Sequence, residues 1–170
     1  MKSNIVLCGF MGSGKSTIGK ELPKHGFSFI DSDEYIEKKA EKSISEIFNE
    51  HGEAYFRALE AEAVTELSKR TKTVIATGGG AVINPENAAA LKSTGTVVFL
   101  DVTPQTVLTR LEGDTTRPLL MSPDREAAVN ELMKKRVPVY RSVSDITVDA
   151  NGEPLKTAKI ILDFIKKNQI

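Results

Sequence analysis

Residues Gly9-Phe10-Met11-Gly12-Ser13-Gly14-Lys15-Ser16 spell G-x-x-x-x-G-K-[ST]. That pattern has its meaning only between a strand and a helix, and both flanks comply. An apolar run at 5–8 precedes it, and residues 17–22 can start a helix. The glycines let backbone N–H groups turn inward around phosphate oxygens, and the helix N-terminus adds positive potential. In such a loop Lys15 reaches the β- and γ-phosphates of a nucleotide, and the Ser16 hydroxyl binds Mg²⁺. The alternative, a chance glycine-rich turn, accounts for the letters but not for their flanks.

The rest of the chain reads as alternating strands and helices. Short, nearly continuous apolar runs stand at 5–7, 27–30, 73–76, 96–100 and 146–148. Such runs suit parallel strands covered on both faces. Helices are expected at 53–69, 105–111, 125–135 and 154–167, the last with Leu155, Ala158, Ile161 and Ile165 on one stripe. Ser43-Ile44-Ser45-Glu46 fits a capping box leading into Ile47-Phe48. Alternation of this kind implies an α/β sheet with right-handed crossovers. At 170 residues the chain is one domain's length, so 1–170 is read as a single unit. The segment 112–124 resists assignment: it mixes Gly, Thr, Pro and Asp with Leu119-Leu120-Met121. A loop that long is either functional or poorly ordered.

Composition excludes several classes. Lys plus Arg and Asp plus Glu each number 23, so the formal charge is zero, which argues against a general nucleic-acid binder. No apolar run approaches the roughly 20 residues of a membrane span, and 5–7 is too short for a signal sequence. One cysteine precludes an internal disulfide and fits a reducing, cytoplasmic setting; Cys8 reads as a small buried hydrophobe. Two histidines and one cysteine cannot build the usual zinc site. No Asn-Lys-x-Asp is present to read guanine. Asp101 closes an apolar run as a Walker-B aspartate does, but it equally well ends a strand before Pro104.

Ligands of open α/β sheets sit beyond the carboxyl ends of the strands. Three motifs fall there: the phosphate loop, Asp31-Ser32-Asp33, and Thr77-Gly78-Gly79-Gly80. In extended chain Asp31 and Asp33 point the same way, so one can hold a metal's water while the other orients and deprotonates a hydroxyl. Asp33 can equally be the N-cap of a helix over 34–40. The glycine triple permits close backbone approach, or simply makes a tight turn. Arg57 lies on a helical stripe with Ala54, Ala58, Ala61 and Val64, where it wants an anionic partner; a pair with Glu53 or Glu60 is the plainer reading. Arg117, in the irregular segment, either closes over a phosphoryl group or stays in solvent. Arg136 is a second carboxylate clamp or a cation at a helix C-terminus.

These stretches closely resemble shikimate kinases. The match rests on 9–17, Phe29 through Glu37, Ser43 through Phe48, 52–60, Thr77 through Gly80, Arg117-Pro118-Leu119-Leu120 and 136–140, and runs in order from about residue 4 to 150. The phosphate loop is shared by many kinases; its combination with D-x-D, F-R-x-x-E, T-G-G-G and R-P-L-L is specific. The resemblance implies a three-layer P-loop fold of the nucleoside-monophosphate-kinase type, a five-stranded parallel sheet with helices on both faces. It implies ATP- and Mg²⁺-dependent phosphorylation of the 3-hydroxyl of shikimate, on the route to chorismate and aromatic amino acids. Carried over by position, Gly12, Ser13, Gly14, Lys15, Ser16 and Thr17 would bind the ATP phosphates, Ser16 would hold the metal, and Asp31 would hold it through water. Asp33 would bind the substrate hydroxyls and act as base. Arg57 and Arg136 would grip the carboxylate beside Gly78, Gly79 and Gly80. Arg117 would reach the phosphates from a mobile lid at 112–124, and Arg110 with 151–154 would line the adenine pocket. The substrate segment would be 31–61. Expected partners are shikimate and ATP alone, with neither nucleic acid nor membrane, in a cytoplasmic monomer. Pro23, Ala40 and Ser142-Val143-Ser144 depart from the family's usual residues, and Pro23 should shorten the first helix. Rival readings are a P-loop kinase of another hydroxy acid such as gluconate, and a non-catalytic nucleotide-binding module.

Overall fold

A computed structural model describes residues 2–114, 117 and 121–168. Within the segment read as a lid, Thr115, Thr116, Pro118, Leu119 and Leu120 lie outside the described residues. The strands are β1 (Asn4–Cys8), β2 (Ser28–Asp31), β3 (Thr73–Ala76), β4 (Gly95–Asp101) and β5 (Ile146–Asp149). They form one sheet in the order β2-β3-β1-β4-β5, and every neighbouring pair is parallel. All residues of β1 and β3 are buried, as strands covered on both faces must be. Register aligns the carboxyl ends: Leu7 and Asp31 both stand opposite Ala76, and Cys8 opposite Phe99. The loops after β1, β2 and β3 therefore open at one level on one edge.

The helices are α1 (Lys15–Gly19), α2 (Ser32–Ala40), α3 (Ile44–Ser68), α4 (Pro85–Thr94), α5 (Pro104–Arg110), α6 (Arg125–Val143) and α7 (Pro154–Lys167). They cover both faces; α1 packs on α7, and α3 on α4. The first helix is short, as Pro23 requires, and a 3₁₀ turn at Leu22–His25 carries the chain on. Ser43 and Glu46 form the expected capping box, and α3 then runs through a kink at Gly52.

Four expectations change. The second helix begins at Ser32, and its N-cap is Asp31, not Asp33. The stretch 125–135 is only the first part of α6, which continues through Pro138 to Val143. An interior proline costs a helix about 3 kcal/mol, but here the buried Val129, Met133 and Tyr140 hold the helix to the core. Leu155, placed on the packed stripe of α7, is 64% exposed, while Ala158, Ile161, Leu162 and Ile165 are buried. Finally, α4 had no counterpart in the sequence reading, although Asn84 caps it and Pro85 opens it.

The main core lies on both faces of the sheet; a second, small cluster of Ile36, Ile47, Phe56 and Ala63 joins α2 to α3. Among the described residues no helix is long and apolar enough to cross a membrane.

Candidate active site

The phosphate loop follows β1 directly. Gly12 and Gly14 stand at φ 74° and 90°, where an L side chain is strained, and Gly14 is the N-cap of α1. The Lys15 ammonium donates to the carbonyls of Gly9 (2.8 Å) and Phe10 (2.9 Å) and to Ser13 Oγ (3.4 Å). Burial pushes its pKa down to about 8. Arg110 braces the loop from outside, donating to the carbonyls of Gly12 (3.0 Å) and Ala150 (2.7 Å). Cys8, beneath the loop, is buried, and burial pushes its thiol up to about 12, which leaves it inert.

Asp31 and Asp33 divide their work by helix geometry rather than by strand alternation. Asp31 Oδ1 accepts the backbone N–H of Asp33 (2.9 Å) and of Glu34 (3.3 Å), capping α2, and its Oδ2 accepts the Ser16 hydroxyl at 2.5 Å. Asp33 sits in the first turn of α2. Its Oδ1 is buried and accepts no hydrogen bond among the described residues. Burial, with the nearby Asp31 and Glu60 carboxylates, pushes the Asp33 carboxyl up to about 6. Asp33 shares a cleft with Lys15, Ser16, Thr17, Asp31, Gly78, Gly79 and Arg117. Arg117 Nε also donates to Asp114 at 3.0 Å, so its guanidinium is paired as well as facing that cleft.

Beside this cleft, across Gly79 and Gly80, lies a second recess lined by Arg57, Glu60, Gly80, Asn84 and Arg136. Arg57 donates to Glu60 (2.9 Å) and lies 3.4 Å from Glu53, so the plainer pairing holds while the guanidinium still faces the recess. Arg136 stands inside α6, not at its C-terminus, which removes the helix-end reading. A third recess, sharing Gly14 and Thr17 with the phosphate cleft, is lined by Arg110, Gly152 and Pro154. The edge thus offers three joined recesses: one beside the loop's outer side, one over it, and one with two arginines.

Asp101 accepts from Arg141 (2.8 Å) and lines a different groove, with Asp149 and Asn151. That is the strand-end reading. Two residues of the site, Tyr140 and Ser32, carried no assigned role in the sequence, and Glu60 was named there as one of two partners for Arg57. Glu60, 1% exposed, holds Arg57 in place. Tyr140, fully buried against Phe99, donates to the Gly79 carbonyl. Ser32 accepts the Gly78 N–H at 2.9 Å. Glu60 follows Arg57 by three residues and Tyr140 follows Arg136 by four, spacings that share a helix face and were the available signal.

The chain is similar to known proteins over nearly its whole length. The shikimate kinase family profile matches residues 11–166. A shikimate kinase of Caldanaerobacter subterraneus is 42% identical over 166 residues, covering 96% of this chain and 96% of its own. One from Francisella tularensis subsp. novicida is 46% identical over 155 residues, covering 90% and 88%. The solved shikimate kinase from Acinetobacter baumannii in complex with shikimate superposes with a TM-score of 0.94 at 38% identity, over 100% of this chain and 96% of that one. A gluconokinase from Sinorhizobium meliloti reaches a TM-score of 0.59 at 17% identity, a likeness of fold.

Proposed function

The chain belongs to the shikimate kinase family, and from that premise we propose how its edge transfers the γ-phosphoryl group of ATP to the 3-hydroxyl of shikimate. The transition state is loose, so positioning and charge neutralisation carry the catalysis. The loop 12–17 binds the phosphates through its backbone, and Lys15 exchanges the Gly9 and Phe10 carbonyls for phosphate oxygens. Arg117 adds a second cation from the segment 112–124, which acts as a lid. Arg110 and the neighbouring 151–154 turn hold the nucleoside.

Ser16 and Asp31 fit Mg²⁺ by their chemistry, a hydroxyl and a carboxylate side by side, the hard oxygen donors this ion takes directly or through water. Among the described residues there is no cluster of three or more His, Cys, Asp or Glu, so the rest of the ligand set falls to phosphates and water. Bound there, the ion would neutralise charge on the phosphates.

Arg57 and Arg136 grip the shikimate carboxylate, since forked guanidinium groups suit a planar anion. Asp33 orients the 3-hydroxyl and takes its proton as the oxygen attacks the γ-phosphorus; the bond to the β–γ bridging oxygen breaks and ADP leaves. The observation that carries this reading is Asp33, which lines the phosphate cleft with a buried carboxylate oxygen unpartnered among the described residues. The segment 31–61 supplies two of the substrate contacts, Asp33 and Arg57. We further propose a cytoplasmic monomer, in keeping with balanced charge and a single buried cysteine. ADP release from MgATP, measured with shikimate, with gluconate and with neither, tests the assignment. Shikimate-dependent ADP that disappears in Asp33→Asn is expected; release that follows gluconate instead overturns the substrate.

A further inference from the structure

Two of the site side chains occupy space that glycines leave open. An ideal Cβ on Gly78 would lie 2.6 Å from Asp33 Oδ1. On Gly80 it would lie 2.6 Å from Arg57 Nη1 and 2.8 Å from Nη2. On Gly79 it would lie 3.4 Å from Arg136 Nη1, an ordinary contact. Real Cβ atoms do not approach within 3.0 Å, so at Gly78 and Gly80 something must shift. The backbone itself does not call for glycine. None of the three has positive φ, and Gly80 rests at φ −99°, ψ −9°, open to any L residue. The triple does form a tight turn, closed by the Ala81 N–H on the Gly78 carbonyl (3.1 Å), but with no positive φ that turn does not itself need glycine, and what glycine adds is room.

We propose that Gly78 and Gly80 are positioning residues, each reserving by its missing side chain the place of one reacting or gripping group, Asp33 and Arg57. The strip between them then sets the span from the proton-accepting carboxylate to the carboxylate clamp, and with it the length of hydroxy acid the site accepts. This deepens the roles proposed for Asp33 and Arg57 and rests on them.

The strip cannot easily back away from an added methyl. The Gly78 N–H is held by Ser32 Oγ (2.9 Å), and its carbonyl by the Ala81 N–H (3.1 Å). The Gly79 carbonyl accepts from Tyr140, and that of Gly80 from the Ile83 N–H (3.1 Å). The side chain must yield instead. Arg57 can swing towards Glu53, which is exposed, at the cost of its bond to the buried Glu60.

The test is a pair of double-mutant cycles read by steady-state kinetics, with KM for ATP as the check on the phosphate side. Gly80→Ala should raise KM for shikimate by about tenfold or more, with a smaller change in kcat. Gly78→Ala should instead lower kcat, with a smaller change in KM for shikimate. Combined with Arg57→Ala, Gly80→Ala should add nothing, because the displaced group is already gone; Gly78→Ala with Asp33→Ala, which empties the same space, should behave alike. Additive losses in either cycle overturn the inference. So does Gly80→Ala with a wild-type KM for shikimate when Arg57→Ala has raised it. An unchanged KM in Arg57→Ala alone removes the proposed role of Arg57 first, and the inference at Gly80 with it. If Gly80→Ala does not fold, the Arg57→Ala double variant must, since its space is vacated; failure of both overturns the proposal.

Discussion

Asp33 holds a carboxylate where the fold gives it little reason to be ionised. Burial and two neighbouring carboxylates raise its pKa from 3.8 to about 6. The folded value lies above the unfolded one. Its contribution to stability is therefore full below about 4 and lost as pH rises through about 6. Above pH 6 the charge is carried for function. Asp33→Asn should thus be more stable than the wild type at pH 8, by about 1–3 kcal/mol, and nearly equal at pH 4. Thermal unfolding at the two pH values checks this; a variant no more stable at pH 8 would place the buried oxygen in a different electrostatic setting. The same titration should shape catalysis, with kcat/KM falling below about pH 6 as the base becomes protonated. Lys15 is the opposite case, a cation kept near the loop carbonyls with its pKa lowered to about 8. Lys15→Ala should cut turnover by roughly 10³-fold or more while the unfolding temperature holds, since the burden it removes is electrostatic.

At the scale of elements, the site is built from helix termini and strand ends whose local signals differ in reach. The capping box at Ser43, the strand ahead of the loop and the short first helix before Pro23 were all legible, because each is decided within a few residues. The first turn of α2 was not. Whether Asp31 or Asp33 caps the helix depends on where β2 ends, and that is set by pairing with β3. The consequence is that Asp31 serves both the α2 N-terminus and the Ser16 hydroxyl. Asn is as good an N-cap as Asp, but it lacks the negative charge by which a carboxylate holds Mg²⁺ or its water. Asp31→Asn should therefore keep its unfolding temperature within a few degrees yet need far more Mg²⁺ for half-maximal rate, whereas Asp31→Ala should also lose about 1 kcal/mol. A Mg²⁺ titration of both variants beside their melting curves separates the two duties. The run of α6 past Pro138 was hidden for a related reason: the proline is a local stop signal, overridden by the buried Tyr140 beyond it.

Across the whole molecule, the order β2-β3-β1-β4-β5 is what gathers distant segments onto one edge. The motifs after β1, β2 and β3 could be placed there from the sequence, since each follows its strand directly. The role of Tyr140 could not, because it exists only where α6 meets Gly79, whereas the pairing of Glu60 with Arg57 lies within α3 and was readable as one of two options. The three recesses meet along the edge but are lined by different elements, so the two substrates should stabilise the fold through separable contacts. A ligand at 100 times its Kd adds about 2.7 kcal/mol to the native state. Shikimate and MgATP should each raise the unfolding temperature of the wild type. In Arg136→Ala the rise from shikimate should vanish, while that from MgATP persists; Arg110→Ala should show the reverse. Melting curves with each ligand decide it. Loss of both rises in either variant would mean that the recesses act as one site, and that the division of labour along the edge is wrong.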